Sequence, residues 1–401
     1  MLNFRDVKFI PLSLFILYYL SPIHTSYALT DHLKIASIFP RTGSQAKYGE
    51  DARAGIQLAL DYIKKTDPMI AKNITIINYD DHSTPSGALA AAKQALKDQA
   101  SIMIGSITPM NTRVLGEISK KHEIPLIIPS ISSLNSGLSH PYIFRSCYLD
   151  QWQGKILARF AFGHLKKMKA ALLYDPNDAY SHDLVEHFKQ SWNEFGGVIV
   201  SKVLYHSEQK KIKLLKHIRS IQSAHPDFIV FPSKNINEIA TAMTSLSRLG
   251  SKIPLLGSDR WHTKKLPKLA KHAYSGHYYS LPFTSLDPDE RARDFSSRFK
   301  IRVKRVPSKL AAHSHDALLL AVHSFKKAGT RSKKQIFKKL AKTKDMPALS
   351  GFLSMNEHHF SEKPSLIMGT TLTGAEIKFK IVNQDPVIQQ AVVPNMLETE
   401  S

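Results

Sequence analysis

The chain has 401 residues, 43% of them hydrophobic and 22% charged; that is too long for one hydrophobic core and too ordinary in composition for wholesale disorder or a multi-span membrane protein. A single Cys excludes a disulfide framework and a cysteine-based structural zinc site. Lys and Arg number 55 against 33 Asp and Glu, a net charge of +22, which by itself fits nucleic acid, an anionic membrane surface or a solubility habit equally well.

The N-terminus sets the compartment. Arg5 and Lys8 precede an apolar run from Phe9 to Leu20, and a polar stretch then ends in Ser26-Tyr27-Ala28. This is the plan of a secretory signal peptide cleaved near Ala28, and the apolar run is shorter than the ~20 residues of a spanning helix. The mature chain is expected to have left the cytoplasm. Loss of residues 1–28 lowers the net charge by one. No Cys near the junction offers a lipid anchor.

From Leu33 short apolar runs alternate with amphipathic stretches. Strands are expected at 33–39, 73–79, 101–105 and 125–129, with helices at 49–65, 84–98 and 112–121 between them. The rhythm restarts after residue 150, with helices at 151–165, 181–195, 211–224 and 236–249. Strands at 169–174, 198–204, 227–231 and 253–257 alternate with them. Strands apolar throughout and separated by helices indicate parallel sheets buried on both faces. The tail adds helices at 289–303, 308–328 and 332–342 and strand-like patches around 351–353 and 376–382. That is too much chain for a loop, so it returns to complete the domains. Lysine clusters such as Lys210-Lys211-Ile212-Lys213 and Lys333-Lys334 read as solvated helix faces, without the alternating aromatics that single-stranded nucleic acid requires. Nucleic acid is therefore not an expected partner.

An enzyme reading lacks its chemistry. No nucleophile elbow, phosphate-binding P-loop, H-E-x-x-H or Cys pair occurs. Ser181-His182-Asp183 and Ser314-His315-Asp316 hold triad letters in adjacent positions, which point apart on a helix. His313 with His315, and His358 with His359, do not converge at metal-ligand spacing and read as solvated. Cys147 reads as a small buried hydrophobe. No metal and no cofactor are expected. The informative residues lie in loops after strands, around Tyr48, Thr108, Ser130 to Ser133, Tyr180 and Asp259 to Trp261. Hydroxyls, aromatic rings, helix-start N–H groups and one acid gathered at strand ends suit a small polar ligand in a cleft. Each Ser or Thr taken singly also suits a helix N-cap.

These segments resemble a known family. Residues 33–63, 79–96, 124–133, 172–184, 227–233 and 253–261 together are similar to the periplasmic solute-binding proteins of ABC importers, in the branched-chain amino-acid (Leu/Ile/Val) binding branch with the type I fold. The resemblance implies an α/β architecture of two doubly wound parallel-sheet lobes joined by a three-strand hinge. The lobes would be 29–148 plus 282–355 and 149–281 plus 356–390, followed by a tail at 391–401. It implies a monomer that captures an amino acid or related small polar solute and delivers it to an inner-membrane ABC permease. An envelope sensor or regulatory interaction protein on the same fold is the alternative.

Carried over residue by residue, Tyr48 and Tyr180 match the aromatic lids and Thr108 falls beside the carboxylate-binding position. Ser130 and Ser132 match the next loop's ligands, Asp259 the ammonium-binding acid, and Trp261 an apolar wall. One position departs from the pattern: Pro109 stands where the family usually carries Ser, which removes a hydroxyl and an N–H together. Arg113 or Ser133 then substitutes as anion partner, or the ligand has no free α-carboxylate at that point.

Overall fold

The computed structural model describes residues 31–130, 141–147, 149–206, 211–372, 374–381 and 389–390. The expected signal peptide, Ser132, Ser133 and the 391–401 tail lie outside the described residues.

The first half builds one sheet. In chain order it contains β1 (Leu33–Ile38), α1 (Ala46–Thr66), α2 (Pro68–Lys72), β2 (Ile74–Tyr79), α3 (Pro85–Lys97), β3 (Ile102–Gly105), α4 (Pro109–Lys121), β4 (Leu126–Ile128) and β5 (Ile143–Arg145). The strands lie in the order β2-β1-β3-β4-β5, all parallel, with Ile35 of β1 between Ile76 and Ile102. Strands β3 and β4 are covered on both faces and are apolar throughout, whereas the edge strand β2 is only partly buried. The alanines of α3 sit on Ala36, Ile38 and Met103 on one side, and α1 covers Ile35, Ile102 and Ile104 on the other.

A second sheet follows: α5 (Asp150–Gly163), β6 (Lys169–Tyr174), α6 (Ala179–Glu194), β7 (Val198–Leu204), α7 (Lys211–Gln222), β8 (Phe228–Val230), α8 (Ile236–Arg248), β9 (Leu255–Gly257), α9 (Lys265–Ala270) and β10 (Tyr278–Leu281). The tail then supplies α10 (Glu290–Val303), α11 (Lys309–Ala328), α12 (Lys333–Ala341), β11 (Met346–Ala348), β12 (Gly351–Met355), β13 (Ser361–Glu362), β14 (Ser365–Thr371), β15 (Gly374–Ile381) and β16 (Gln389–Gln390). Helices α11 and α12 return to the first sheet, where Leu320, Phe325, Ile336 and Leu340 join its core. At the crossing of α1 and α11, a Cβ on Gly55 would meet the Ala311 carbonyl oxygen at 2.1 Å, so the two backbones touch only because Gly55 has none. Strands β14, β15 and β16 instead extend the second sheet, in the order β16-β15-β14-β10-β9-β8-β6-β7. They run antiparallel to their neighbours, so the parallel core carries an antiparallel edge. Among the described residues, no helix is long and apolar enough to cross a membrane.

The chain passes between the sheets after β5, after β10 and between β13 and β14. These passages lie side by side. The Arg145 N–H donates to the His359 carbonyl at 3.0 Å, Ser361 Oγ to the Cys147 carbonyl at 3.0 Å, and Ser365 Oγ to the Leu281 carbonyl at 3.3 Å. Lys363, in the third passage, is buried and donates its ammonium to Asp316 Oδ2 of α11 at 2.8 Å. Asp316 Oδ1 accepts from the Leu349 N–H at 3.1 Å. Burial pushes the Asp316 carboxyl up, but Lys363 and His315 outweigh it and hold the group below the usual carboxylate range.

Removing one member of such a pair leaves an uncompensated buried charge. Lys363→Met is expected to lower the unfolding free energy by about 3–5 kcal/mol. Adding Asp316→Leu should recover most of that loss, because an apolar pair of similar volume needs no solvation. Urea unfolding of the single and double variants checks this, and equal losses in both would refute the pairing argument.

Candidate functional site

The carboxyl ends of the two sheets face a cavity of about 420 Å³. Its first-sheet side begins in the turn after β1. There, Asp80 accepts from the Arg41 N–H at 2.8 Å and from Thr42 Oγ1 at 2.8 Å, which ties the turn to the end of β2. Burial raises the Asp80 carboxyl, but the N–H groups of Arg41 and His82 prevail and bring it down to about 2. The turn delivers Gln45 and Tyr48 to the rim, Tyr48 with 57% of its surface exposed. Ser130, just beyond β4, lines the cavity and donates its hydroxyl to the Ser106 carbonyl at 2.9 Å. Ile107, Pro129, Pro282 and Leu310 supply apolar walls.

On the second-sheet side Asp259 follows β9, at the start of a short 3₁₀ turn running to Trp261. Its carboxylate is buried, and every oxygen has a donor. Tyr180 OH donates to Oδ1 at 3.0 Å, Gln153 Nε2 to the same oxygen at 3.2 Å, and the Lys309 ammonium to Oδ2. Gln153 is itself fixed, because its Oε1 accepts from the Asp259 N–H at 3.0 Å and from Ser280 Oγ at 2.9 Å. Burial would raise the Asp259 carboxyl, yet the charge and hydrogen bond of Lys309, with the charge of Arg260, keep it ionised. The Arg260 guanidinium lies 5.2 Å from the centre of the Tyr180 ring. Lys309 opens α11, so its bond to Asp259 joins the two sides of the cavity.

The structure gathers some of the expected residues and separates others. Tyr48, Ser130 and Asp259 line the cavity, and Tyr180 stands behind Asp259 through its hydroxyl. Thr108 caps α4, its Oγ1 accepting from the Asn111 N–H at 3.3 Å. Pro109 is the first residue of that helix, where its missing N–H costs nothing. Arg113 is on the exposed face of α4 and is not among the residues that line the cavity. Trp261 corrects its expected role as a wall, because its indole is fully buried in the second core and packed against Gly257. His313 and His315, read from sequence as solvated, are both buried. An apolar helix face that also carries two His gives no sequence signal of which way they turn. His313 lines the cavity and its Nδ1 lies 3.2 Å from the Pro129 carbonyl, while Nε2 has no hydrogen-bond partner. Gln153, Lys309, His313 and Cys147 at the cavity were not read as site residues from sequence, and Arg260 entered only as part of the Asp259–Trp261 loop, with no role of its own. Gln153 and Lys309 lie within amphipathic helical patterns in which a polar residue reads as solvent-facing.

Comparison with known proteins adds an independent line of evidence. A family model described as periplasmic binding protein matches residues 32–369. The chain is 22% identical over 335 residues to the leucine-, isoleucine-, valine-, threonine-, and alanine-binding protein of Pseudomonas aeruginosa, covering 83% of this chain and 88% of that protein. It is 22% identical over 355 residues to Leu/Ile/Val-binding protein homolog 1 of Brucella abortus, covering 86% and 92%. A crystal structure of a putative branched-chain amino acid ABC transporter from Rhodospirillum rubrum superposes with a TM-score of 0.78 at 18% identity, covering 86% of this chain and 99% of that one.

Two buried histidines give the fold an acid sensitivity. Burial, with the charges of Lys363 and Lys309, lowers His313 to about 3. Burial lowers His277, whose Nδ1 accepts from the Leu255 N–H at 3.0 Å, to about 4. Both values lie below that of an unfolded histidine, so the stability they contribute is intact above pH ~6.5 and is lost as pH falls towards those values. At pH 5 the expected loss is about 2 kcal/mol per histidine. Urea unfolding at pH 7 and pH 5 measures it, and His277→Gln should reduce the difference. An unchanged stability between the two pH values would contradict the burial argument.

Proposed function

The chain belongs to the periplasmic binding protein family, and on that premise we propose how it captures its solute. It is a solute-binding component of an ABC-type importer. The two sheets, each with its covering helices, act as two lobes that move about the three chain passages, the third of which lies between β13 and β14, a few residues after the expected boundary at 355. A small polar solute, an amino acid or a relative of one, enters the cavity and touches Ser130 and Tyr48 on one side and the Asp259 surroundings on the other. A solute that contacts both lobes binds the closed form more tightly and so shifts the population towards it. The closed form then presents the solute to a membrane permease. The protein binds and releases its solute unchanged, in the periplasm, after removal of residues 1–28.

The observation that carries this reading is the cavity itself, set at the carboxyl ends of both sheets, where open α/β sheets bind ligands. The test uses residues 29–401, unfolded and refolded to strip any carried ligand. Thermal shifts are then measured against amino acids, their amides, simple carboxylates, dicarboxylates and small peptides. A ligand at ~100 times its Kd adds about 2.7 kcal/mol and raises the melting temperature by several degrees. Ser130→Trp, which fills the cavity, should erase the shift while leaving the ligand-free melting temperature within a few degrees of the parent. A flat response across the panel would defeat the proposal.

A further inference from the structure

Asp259 is the one acid among the described residues that line the cavity, and the protein has already spent it. Oδ1 accepts from Tyr180 and Gln153, and Oδ2 accepts from the Lys309 ammonium. Lys309 is the first residue of α11, whose N-cap Ser308 accepts from the Ala311 N–H at 3.3 Å, so the stem starts from a fixed point. Its side chain keeps 46% of its surface exposed while the carboxylate it meets keeps only 5%. An ammonium holds three donors and this one uses one on Asp259, leaving donors on the cavity side. The cavity lining also holds Arg260, so its cations outnumber its acid two to one. His313 is uncharged, and the remaining walls at Ile107, Pro129, Pro282 and Leu310 are apolar.

We infer that Lys309 occupies, from within the chain, the place on Asp259 that a solute's ammonium would need, and that the solute is therefore a small carboxylate with an apolar body and no amino group. The carboxylate meets Lys309 and Arg260, and the apolar body rests on the proline, Ile107 and Leu310 walls. A free amine brought into this space either displaces Lys309 or stands beside two cations without a carboxylate of its own, its other acceptors being neutral groups such as the Ser130 hydroxyl and His313 Nε2. The inference deepens the solute-capture reading and rests on it.

Matched pairs that differ only in the amine test it. Leucine against 4-methylpentanoate, and phenylalanine against 3-phenylpropanoate, are titrated calorimetrically into residues 29–401. The deaminated acid of a pair is expected to bind at least tenfold more tightly than its amino acid. Lys309→Met should reverse the order, weakening the acid at least tenfold and admitting the amine to Asp259, whereas Lys309→Arg should keep the acid preference. Amino acids binding as tightly as the acids, or a wider panel in which only amine-bearing solutes raise the melting temperature, would overturn the inference and leave solute capture standing. An acid preference that survives Lys309→Met would also overturn it. Silence from both members of every pair and from the whole panel would bring down both readings together.

Discussion

A carboxylate withdrawn from water governs the geometry of the cleft. Asp259 sits at the end of β9 with its oxygens buried, and an unmatched charge there would cost several kcal/mol. The requirement is met by donors from three helices. Gln153 comes from α5, Tyr180 from α6, Lys309 from α11, and Ser280 of β10 holds Gln153 in the orientation that serves Asp259. Gln153 and Tyr180 carry further contacts with each other, with Ser280 and with Arg260, so that part of the set has little freedom to rearrange piecemeal. Because Lys309 belongs to the helices over the first sheet, the same requirement brings the two halves of the molecule together across the cavity.

The cavity therefore combines one charged sector with neutral polar groups, Gln45 and Ser130 among them, and apolar walls. Lys309 and Arg260 stand near Asp259, while Ile107, Pro129, Pro282 and Leu310 form smooth walls. His313 adds no charge, since burial and the nearby lysines keep it unprotonated. Its Nε2 lacks a hydrogen-bond partner and remains available as an acceptor. Such an arrangement favours orientation over brute attraction. One end of a solute is fixed by charge-assisted bonds and the other end selected by shape.

Much of this was legible in the residues. The apolar runs at Leu33–Ile38, Lys169–Tyr174 and Leu255–Gly257 could hardly be anything but strands covered on both faces, and the helices between them followed from spacing. Tyr48, Ser130 and Asp259 stood out because they follow strands, and the structure places them at one cavity. Trp261 looked the same by that criterion, yet it turns inward, because Gly257 leaves a space that an indole fills. Sequence position locates a loop but does not aim its side chains. Lys309 and Gln153 were hidden for the opposite reason: a polar residue on a helix is ordinarily solvated, and only the packing of another element shows that it faces a cleft. Pro109 looked like a lost ligand when read alone, whereas at the first position of α4 it is a favoured helix starter.

The return of the tail to the second sheet also orders events during synthesis. Until residues 365–371 have been made, β10 is an edge strand, and Tyr279 and Leu281 lack the cover that Leu366 and Met368 later bring. The first sheet likewise waits for α11 and α12 to seal one of its faces. Neither half can reach its final core from a contiguous stretch of nascent chain, so late docking of long-range segments must complete both. A polypeptide of this topology stays incompletely folded until nearly its whole length has emerged. That delay leaves an unpaired β10 edge as the point at which partly made copies would stick to one another.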